Sequence, residues 1–284
     1  MKTKQDFLPE ARCQLTFLDP SVDPRSYIGK VVNVFPKSYD YSKQEMNVFI
    51  GDSLSGIIPL EELTIYDLGE VCYQSLSPFF SPNHLLSAEI IDFDSTNKNF
   101  ILSRKKNMEN ALIYFSSSDA CSQTLYAYKT GATNSSVFVD IGAGIVGLIP
   151  YKEISFSHVN ALTYFKGIDY IPIRILLQNI YGKFIVSYKA TVPYEDLTAG
   201  DIVLGRVAKA TSNNDGIFIE INSNQSGIVN ADYGLRVVQC NNEKLFIINE
   251  KNNYPARCIK ENEKYLFAIK LVKHDGRHFK LSLL

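Results

Sequence analysis

The stretch Ser136–Ile154, SVFVDIGAGIVGLIPYKEI, occurs in the chain in three related forms. It alternates apolar and other residues, turns through glycines, and continues as a second apolar run that stops at a proline. The related stretches are MNVFIGDSLSGIIPLEEL at Met46–Leu63 and GIFIEINSNQSGIVNADYG at Gly216–Gly234. An internal repeat predicts several copies of one structural unit, so this stretch decides the fold.

Each repeated stretch begins with a period of two, which predicts a half-buried strand. An ungapped superposition aligns Gly56, Gly147 and Gly227. The predicted inward positions are Met46, Val48, Ile50, Val137, Val139, Ile141, Ile217, Ile219 and Ile221. The predicted outward positions are Asn47, Phe49, Phe138, Asp140, Phe218 and Glu220.

A second motif follows each copy. The sequences FILS, FIVS and FKLS stand at Phe100–Ser103, Phe184–Ser187 and Phe279–Ser282. An apolar segment precedes each of them across turn residues that suit a hairpin, and each copy also begins with a strand-like segment. Five strands with a longer link after the third is typical of the OB-fold, a small closed Greek-key barrel. We therefore predict an all-β protein of three tandem five-stranded OB-fold barrels with short helical connectors.

The repeats also set the expected domain boundaries. The third copy carries extra sequence near 235–262, in which LRVVQCNNEKLFII resembles an added hairpin. The segment NMENALIYF predicts a short helix after the first barrel. The predicted ranges are an N-terminal extension at 1–26, barrels at 27–106, 119–190 and 198–284, and linkers at 107–118 and 191–197.

Composition and missing motifs narrow the function classes. The chain has 284 residues, 45% of them hydrophobic, and a net charge of -1, which differs from the basic footprint of a strong nucleic-acid binder. Its five cysteines lack zinc or redox spacing, which indicates free thiols. We find no signal peptide, membrane span, phosphate loop, nucleophile elbow or HExxH motif. The expectation is a soluble, cytoplasmic, non-catalytic protein with no cofactor and no membrane partner.

The order of these motifs resembles the ribosomal S-one RNA-binding domain. GLIPYKEI resembles that family's glycine–aliphatic segment before a short helix, and FILSRKK resembles its closing leucine-serine-basic strand. The resemblance covers most of the chain in three copies. It implies OB barrels that bind single-stranded RNA on one face. It further implies two aromatic residues around the second strand, a histidine after the third, and an aspartate and an arginine near the final turn.

The binding residues that the resemblance implies are only partly present. The main aromatic position holds Asn47, Phe138 and Phe218 in the three copies, with Phe49 next on the same face of copy one. In copy order, the position of the second aromatic holds Gln44, Ser135 and Asp215, and the histidine position holds Pro59, Pro150 and Asn230. The aspartate position holds Asp94, Asn179 and His274, and the arginine position holds Asn99, Lys183 and His278. The scaffold is therefore expected to be intact, with altered surface chemistry.

Candidate RNA-binding residues combine exposed rings with nearby positive charge. An aromatic ring stacks a base for about 1–3 kcal/mol, and Lys or Arg neutralises phosphates. The candidates are Phe49, Phe138, Phe218, Arg104, Lys183, Lys189, His274, His278 and Lys280. The alternatives are that the rings pack against a neighbouring barrel or loop, and that the basic run 104–106 is a solvated barrel end. Two isolated histidines without a further ligand do not predict a metal site.

The leading hypothesis is a non-catalytic protein that binds single-stranded RNA, at the ribosome or on messenger RNA. Tandem weak modules would raise its avidity. The alternative is a protein-interaction scaffold in which the barrel faces dock a protein partner. A hydrolytic activity is a distant third.

Overall fold

The computed structural model describes most of the chain. The described residues are 7–51, 54–80, 84–155, 160–178, 182–211, 213, 215–231, 235–240, 243–248, 257–273 and 275–284. The fold is mostly β, as the alternating pattern predicts, with 48% of the described residues in strands and 18% in helices. None of the helices in the described ranges has the length and apolar character needed to cross a lipid bilayer.

The strands found in the described residues are β1 (Val31–Asp40), β2 (Glu45–Ile50), β3 (Leu54–Pro59), β4 (Leu86–Asp94), β5 (Asn99–Ser103), β6 (Leu125–Ala132), β7 (Ser136–Asp140), β8 (Val146–Pro150), β9 (Tyr170–Gln178), β10 (Phe184–Ser187), β11 (Ile202–Ala210), β12 (Gly216–Asn222), β13 (Gln225–Asn230), β14 (Leu235–Cys240), β15 (Glu243–Ile248), β16 (Arg257–Lys260), β17 (Lys264–Val272) and β18 (His278–Leu283). The α-helices are α1 (Tyr73–Leu76), α2 (Arg104–Phe115), α3 (Ser118–Ser122) and α4 (Ala161–Tyr164). Short 3-10 helices occupy Glu10–Arg12, Pro24–Tyr27, Leu60–Glu62, Ser77–Phe80, Tyr151–Glu153 and Lys189–Thr191.

The strands of the three copies join in one recurring order. In the first sheet the order is β1-β2-β3-β5-β4, and β4 pairs with β1. The second and third sheets are closed five-stranded barrels with the orders β10-β8-β7-β6-β9 and β11-β12-β13-β18-β17. In every copy the third strand lies parallel to the fifth. The predicted strand count and connectivity of each copy are therefore present.

The repeated glycine lies on this parallel pair. It pairs with the phenylalanine of the closing motif in all three copies, as Gly56–Phe100, Gly147–Phe184 and Gly227–Phe279. A Cβ atom on Gly56 would lie 2.4 Å from Leu102 Cδ1, and one on Gly227 would lie 2.4 Å from Leu281 Cδ1. The position is therefore glycine because neighbouring core side chains fill the space that a Cβ would need.

A β-bulge interrupts the first strand of each copy at an equivalent place. It falls between Pro36 and Ser38 in β1, between Lys129 and Gly131 in β6, and between Val207 and Lys209 in β11. The residue just beyond each bulge pairs with the aligned outward position of the second strand, giving Ser38–Asn47, Gly131–Phe138 and Lys209–Phe218. Bulges increase the local twist and redirect side chains, so all three copies aim this position in the same way.

The inward positions form the cores, as predicted. Eight of the nine are at most 1% exposed, and Ile221 is partly buried. Two of the predicted outward positions, Asp140 and Glu220, are nevertheless buried, with only 7% and 5% of their surface exposed. Both side chains lie on the outer side of their barrels, where other segments of the chain cover them.

Two segments of the fold extend beyond the repeat. Helix α2 confirms the predicted helix after the first copy, and it begins three residues before the predicted linker, at Arg104. The predicted hairpin in the third copy is confirmed as the antiparallel pair β14–β15, to which β16 adds a third strand. Leu235, Phe246 and Ile259 of this small sheet join the core of the third barrel.

The chain divides into two compact units. The first comprises Met1–Ala132, Val137–Leu148 and Gly167–Val186, and the second comprises Thr133–Ser136, Ile149–Lys166 and Ser187–Leu284. The predicted domain ranges remain predictions, since they rest on the repeat alone.

Candidate nucleic-acid interface

A row of outward side chains crosses the third barrel, and we call it the third-barrel row. Lys209 pairs with Phe218, and Phe218 pairs with Ile228. Ile228 pairs in turn with Lys280, which also pairs with Leu271. Direct partners on neighbouring strands face the same side of a sheet. The five side chains therefore form one continuous band on the outer wall.

The third-barrel row combines an aromatic ring with flexible positive charges. Phe218 is half-buried, and Lys209 Nζ lies 5.9 Å from the centroid of its ring. Lys280 is exposed on the other side of Ile228. A base stacked on Phe218 would have an ammonium group within reach on either side, and Lys209 would need to move from the ring.

The second barrel presents Phe138 beside a cleft. The ring is 39% exposed, and its neighbour across the strands, Gly131, has no side chain to cover it. The cleft has a volume of about 430 Å³ and is lined by Tyr66, Phe138, Val146, Leu148, Lys183, Phe184 and Ile185. It therefore offers an apolar floor, one aromatic ring and one lysine.

Tyr66 completes this cleft, although the sequence pattern did not indicate it. Its hydroxyl accepts a hydrogen bond from the backbone N–H of Val146 at 2.9 Å. Lys183 Nζ lies 5.9 Å from the Tyr66 ring. Burial raises the pKa of the Tyr66 phenol, with a smaller opposing contribution from the Val146 hydrogen bond. The phenol therefore stays neutral and the ring stays fixed at the cleft.

The first sheet has a different outer surface. Asn47 replaces the ring in the equivalent row, where it pairs with Ser38 and Ile57. The exposed ring is Phe49, two residues further along β2, where it pairs with Phe35. Lys37 Nζ lies 4.9 Å from the Phe49 ring centroid. Phe49 is thus accessible beside a lysine, but out of line with Phe138 and Phe218.

The prediction that Arg104 contacts RNA is wrong. Arg104 is 4% exposed, because the first turn of α2 directs it inward. Its Nε and Nη2 donate to the two carboxylate oxygens of Glu10 at 2.7 and 2.9 Å, and its Nη1 donates to the Leu63 carbonyl at 3.0 Å. The guanidinium is committed to this buried pair and is unavailable to a phosphate.

Glu10 also explains why Asp140 is buried. The Glu10 backbone N–H donates to Asp140 Oδ2 at 2.7 Å, and the N–H groups of Gly142 and Gly144 donate to Asp140 Oδ1 at 2.8 and 3.1 Å. Burial and the nearby Glu10 charge raise the pKa of Asp140 to about 7. For Glu10, burial acts to raise the pKa, but the charges and hydrogen bonds of Arg104 and His84 outweigh it and lower the pKa to about 2.

Glu220 is buried by a second polar cluster. Arg206, its direct partner on β11, forms an ion pair with it. The Tyr164 hydroxyl lies 3.3 Å from Glu220 Oε1 and 3.0 Å from Ser223 Oγ. Burial, followed by the Glu220 charge, raises the pKa of Tyr164. Arg206 and Tyr164 belong to the lining of a polar cleft of about 830 Å³, together with Asn134, Asn160, Thr163, Ala208, Glu261, Asn262 and Lys264.

The remaining candidates differ in accessibility. Lys183 is exposed, whereas Lys189 is half-buried and its Nζ donates to the Lys152 carbonyl at 2.8 Å. His278 Nδ1 lies 2.5 Å from Asp275 Oδ2. Backbone hydrogen bonding from Arg277, then the contact with His278, lowers the pKa of Asp275 to about 2. His274 lies outside the described residues. Within the described part of the chain, no three His, Cys, Asp or Glu side chains gather as metal ligands.

Comparison with known proteins assigns no family to the chain. No family model matches the sequence, and no curated protein matches it. Among solved structures, one similar chain is described as a multidomain protein with nucleic acid binding domains from Streptococcus pneumoniae TIGR4. The similarity has 11% sequence identity and a TM-score of 0.23, and it covers 92% of this chain and 75% of that chain. At this identity and score it supports no inference about function.

Proposed function

We propose that this chain is a non-catalytic RNA-binding protein built from three tandem OB-type barrels of the S-one kind. It holds single-stranded RNA by stacking bases on partly exposed rings and by contacting phosphates with lysines. The observation that carries the proposal is the third-barrel row, in which Phe218 lies between Lys209 and Lys280 on one wall. The row supplies the two groups that unstructured RNA requires, a ring face and mobile cations.

The strength of one such site is modest. Stacking on a single ring contributes about 1–3 kcal/mol, whereas even a millimolar dissociation constant corresponds to about 4 kcal/mol. One ring therefore needs help from lysines and from a second site. Phe138 on the second barrel provides that second ring on the same chain, and linkage of two weak sites raises the overall affinity through effective concentration.

The near-neutral net charge is compatible with local attraction of RNA. Lys209 and Lys280 in the third-barrel row, and Lys183 in the cleft of the second barrel, place positive charge at the rings. If these three lysines contact phosphates, log K should fall with log salt at a slope of about -2, since each contact to a single strand contributes about -0.7. We place such binding on messenger RNA or at the ribosome, as the sequence resemblance implies.

The test is the binding of a fluorescent 20-nucleotide uridylate to the full chain at low salt, followed by anisotropy. We expect binding in the micromolar range, and at least a tenfold loss in the double variant Phe138→Ala/Phe218→Ala without a change in melting temperature. Tyr73→Ala is the matched control, because Tyr73 is 75% exposed and lies outside the proposed sites. Absence of wild-type binding at high micromolar protein would refute the proposal.

A second candidate is a protein-interaction scaffold. It is favoured by the first sheet, in which Asn47 replaces the ring and the exposed Phe35 and Phe49 form a cross-strand pair. A large loss of stability in the double ring variant would favour this reading, because it would show that the rings are packed rather than free.

A further inference from the structure

An uncovered apolar surface lies on the third barrel, apart from the third-barrel row. Ile202, Leu204, Leu266 and Leu284 are 63%, 54%, 52% and 56% exposed, and we call them the docking strip. Leu204 pairs directly with Leu266, and the Leu284 N–H donates to the Leu266 carbonyl at 3.1 Å. The strip is therefore continuous across β11, β17 and the residue that follows β18. Isolated exposed leucines are common, but a contiguous group marks an interaction surface.

The first sheet shows what covers the equivalent place in another copy. Asn33 lies three residues before the bulge in β1 and pairs with Ser87, as Leu204 lies three residues before the bulge in β11 and pairs with Leu266. In the first sheet Ser87 is 8% exposed, because Asn107 of helix α2 and Glu10 form hydrogen bonds with it. Asn33 instead forms hydrogen bonds with Gln14 and Thr16 of the N-terminal segment. At the place that Leu266 takes in the third barrel, the scaffold therefore accommodates a helix.

The contacts made by α2 show how such a helix is recognised. Asn107 Nδ2 donates to the Ser87 carbonyl at 3.0 Å, and Lys106 Nζ lies 2.6 Å from Glu89 Oε1. The first sheet thus presents a carboxylate and a polar surface, and helix α2 contacts them with a lysine and an amide side chain. In the third barrel Ala268 takes the place of Glu89, and leucines take the polar places.

The charges around the docking strip have the opposite sign. Lys264 and Lys270 are exposed on β17, one on each side of Leu266, and neither forms an ion pair within the described part of the chain. Asp201, next to Ile202, accepts hydrogen bonds from Thr198. Arg206 is already paired with Glu220. Among the described residues, the charges at the edges of the strip that form no ion pair are therefore two lysines and Asp201, and their sum is positive.

We propose that the docking strip binds an amphipathic α-helix of a partner protein, with leucine-type residues facing the strip and Glu or Asp residues at its flanks. The helix would occupy on the third barrel the place that α2 occupies on the first sheet. The apolar face follows from the four exposed side chains, and the acidic flanks follow from Lys264 and Lys270. This inference goes beyond RNA binding and does not depend on it.

The test uses a phage-displayed library of 18-residue helical peptides with a fixed leucine stripe and randomised polar positions, selected on the full chain. We expect selection of peptides rich in Glu and Asp at the stripe edges, and binding at least tenfold weaker to Leu204→Ser/Leu266→Ser. The control is Leu176→Ser/Leu177→Ser on β9, where the side chains are 49% and 62% exposed, and it should bind as the wild type does. Circular dichroism confirms that both variants are folded.

Several results would overturn the inference. Failure to enrich helical peptides, or enrichment of peptides that bind the strip variant equally well, would remove the helix as occupant. A wild-type dimer that becomes a monomer in the strip variant would identify a second copy of the chain instead. Loss of uridylate binding in the strip variant would assign the strip to nucleic acid. The peptide selection is independent of RNA, so it can succeed where the RNA titration fails.

Discussion

Gly227 and Phe279 are direct partners across the parallel strands β13 and β18. The same relationship recurs between Gly56 and Phe100 in the first sheet and between Gly147 and Phe184 in the second barrel. Two motifs that are far apart in the sequence thus meet in space. Their joint repetition reflects one packing requirement, in which the backbone at the glycine approaches the closing strand and its core side chains.

The first prediction concerns this contact. Gly227→Ala should lower the free energy of unfolding by about 1–3 kcal/mol, because the added Cβ would lie 2.4 Å from Leu281 Cδ1. Urea unfolding measures the effect. Gly131→Ala is the matched control, since no atom lies within 4 Å of its Cβ position, and it should change stability by less than about 1 kcal/mol. Equal losses in the two variants would contradict the packing argument.

The second prediction concerns the buried ion pair. Arg104→Ala should destabilise the protein by about 3–5 kcal/mol at pH 7, because it leaves the Glu10 carboxylate buried without its partner. Lys105→Ala, one residue further along α2, should have an effect within about 0.5 kcal/mol. If both variants unfold at the wild-type urea concentration, Arg104 does not stabilise the fold.

The same variant should show a defined pH dependence. Burial acts to raise the pKa of Glu10, but Arg104 and His84 together lower it from 4.5 to about 2. The stabilisation is therefore present above pH 4.5 and is lost as the pH falls towards 2. Without Arg104, burial favours the protonated form of Glu10. The free energy needed to protonate this carboxylate decreases as the pH is lowered. The stability difference between wild type and Arg104→Ala should therefore shrink as the pH is lowered. A difference that is constant between pH 7 and pH 3 would exclude this mechanism.

The third prediction concerns Asp140, whose pKa is raised in the opposite direction. Its folded-state pKa of about 7 lies above the ordinary value of 3.8, so its contribution is fully present below pH 3.8 and is lost as the pH rises through 7. Carboxyl NMR of the carbon-13-labelled protein should show an aspartate that titrates near pH 7. Assignment of Asp140 to a midpoint near pH 4 would show that its burial is overcome.

The fourth prediction separates the roles of ring and lysine in the third-barrel row. Phe218→Ala should weaken uridylate binding by about 1–3 kcal/mol at every salt concentration. Lys280→Gln should instead reduce the slope of log K against log salt by about 0.7. Anisotropy titrations at four salt concentrations distinguish the two effects, with Lys105→Gln as a control. Identical salt slopes for wild type and Lys280→Gln would remove Lys280 from the site.

The fifth prediction is a gain of function. Asn47 occupies the place in the first sheet that Phe138 and Phe218 occupy in the other copies. Asn47→Phe should add a third ring in the equivalent direction and tighten uridylate binding by about 1–3 kcal/mol. Asn110→Phe, at an exposed position of helix α2 outside the proposed sites, controls for a general effect of added aromatic surface. Unchanged affinity in Asn47→Phe would show that the aligned position does not face RNA.

The sequence predicted those features that depend on periodicity. Alternation identified the inward residues Met46, Val139 and Ile219, and the repeat identified the strand order. It could not predict the burial of Asp140 and Glu220, because alternation tells which side of a strand a residue is on and not what covers that side. Hydrogen bonds from the Glu10 and Tyr164 segments determine that, and neither segment belongs to the repeated stretch.

The failure at Arg104 has the same origin. Three consecutive basic residues after a closing strand have the appearance of a phosphate site, yet the carboxylate that pairs with Arg104 lies 94 positions earlier in the chain. The repeat could not indicate Tyr66, because this residue lies outside the repeated stretch. Its link to the cleft is a hydrogen bond from the backbone N–H of Val146. The sequence did not predict strand β16 either, because its four residues are too few to show an alternating pattern.

The location of Glu10 has a consequence for how the chain matures during translation. Its partners Ser87, Arg104 and Asp140 follow it by 77, 94 and 130 positions. At about 5–20 residues per second, roughly 7–26 s separate the emergence of this carboxylate from that of its most distant partner. The buried carboxylate of Glu10 can therefore acquire its full set of partners only after Asp140 has been synthesised.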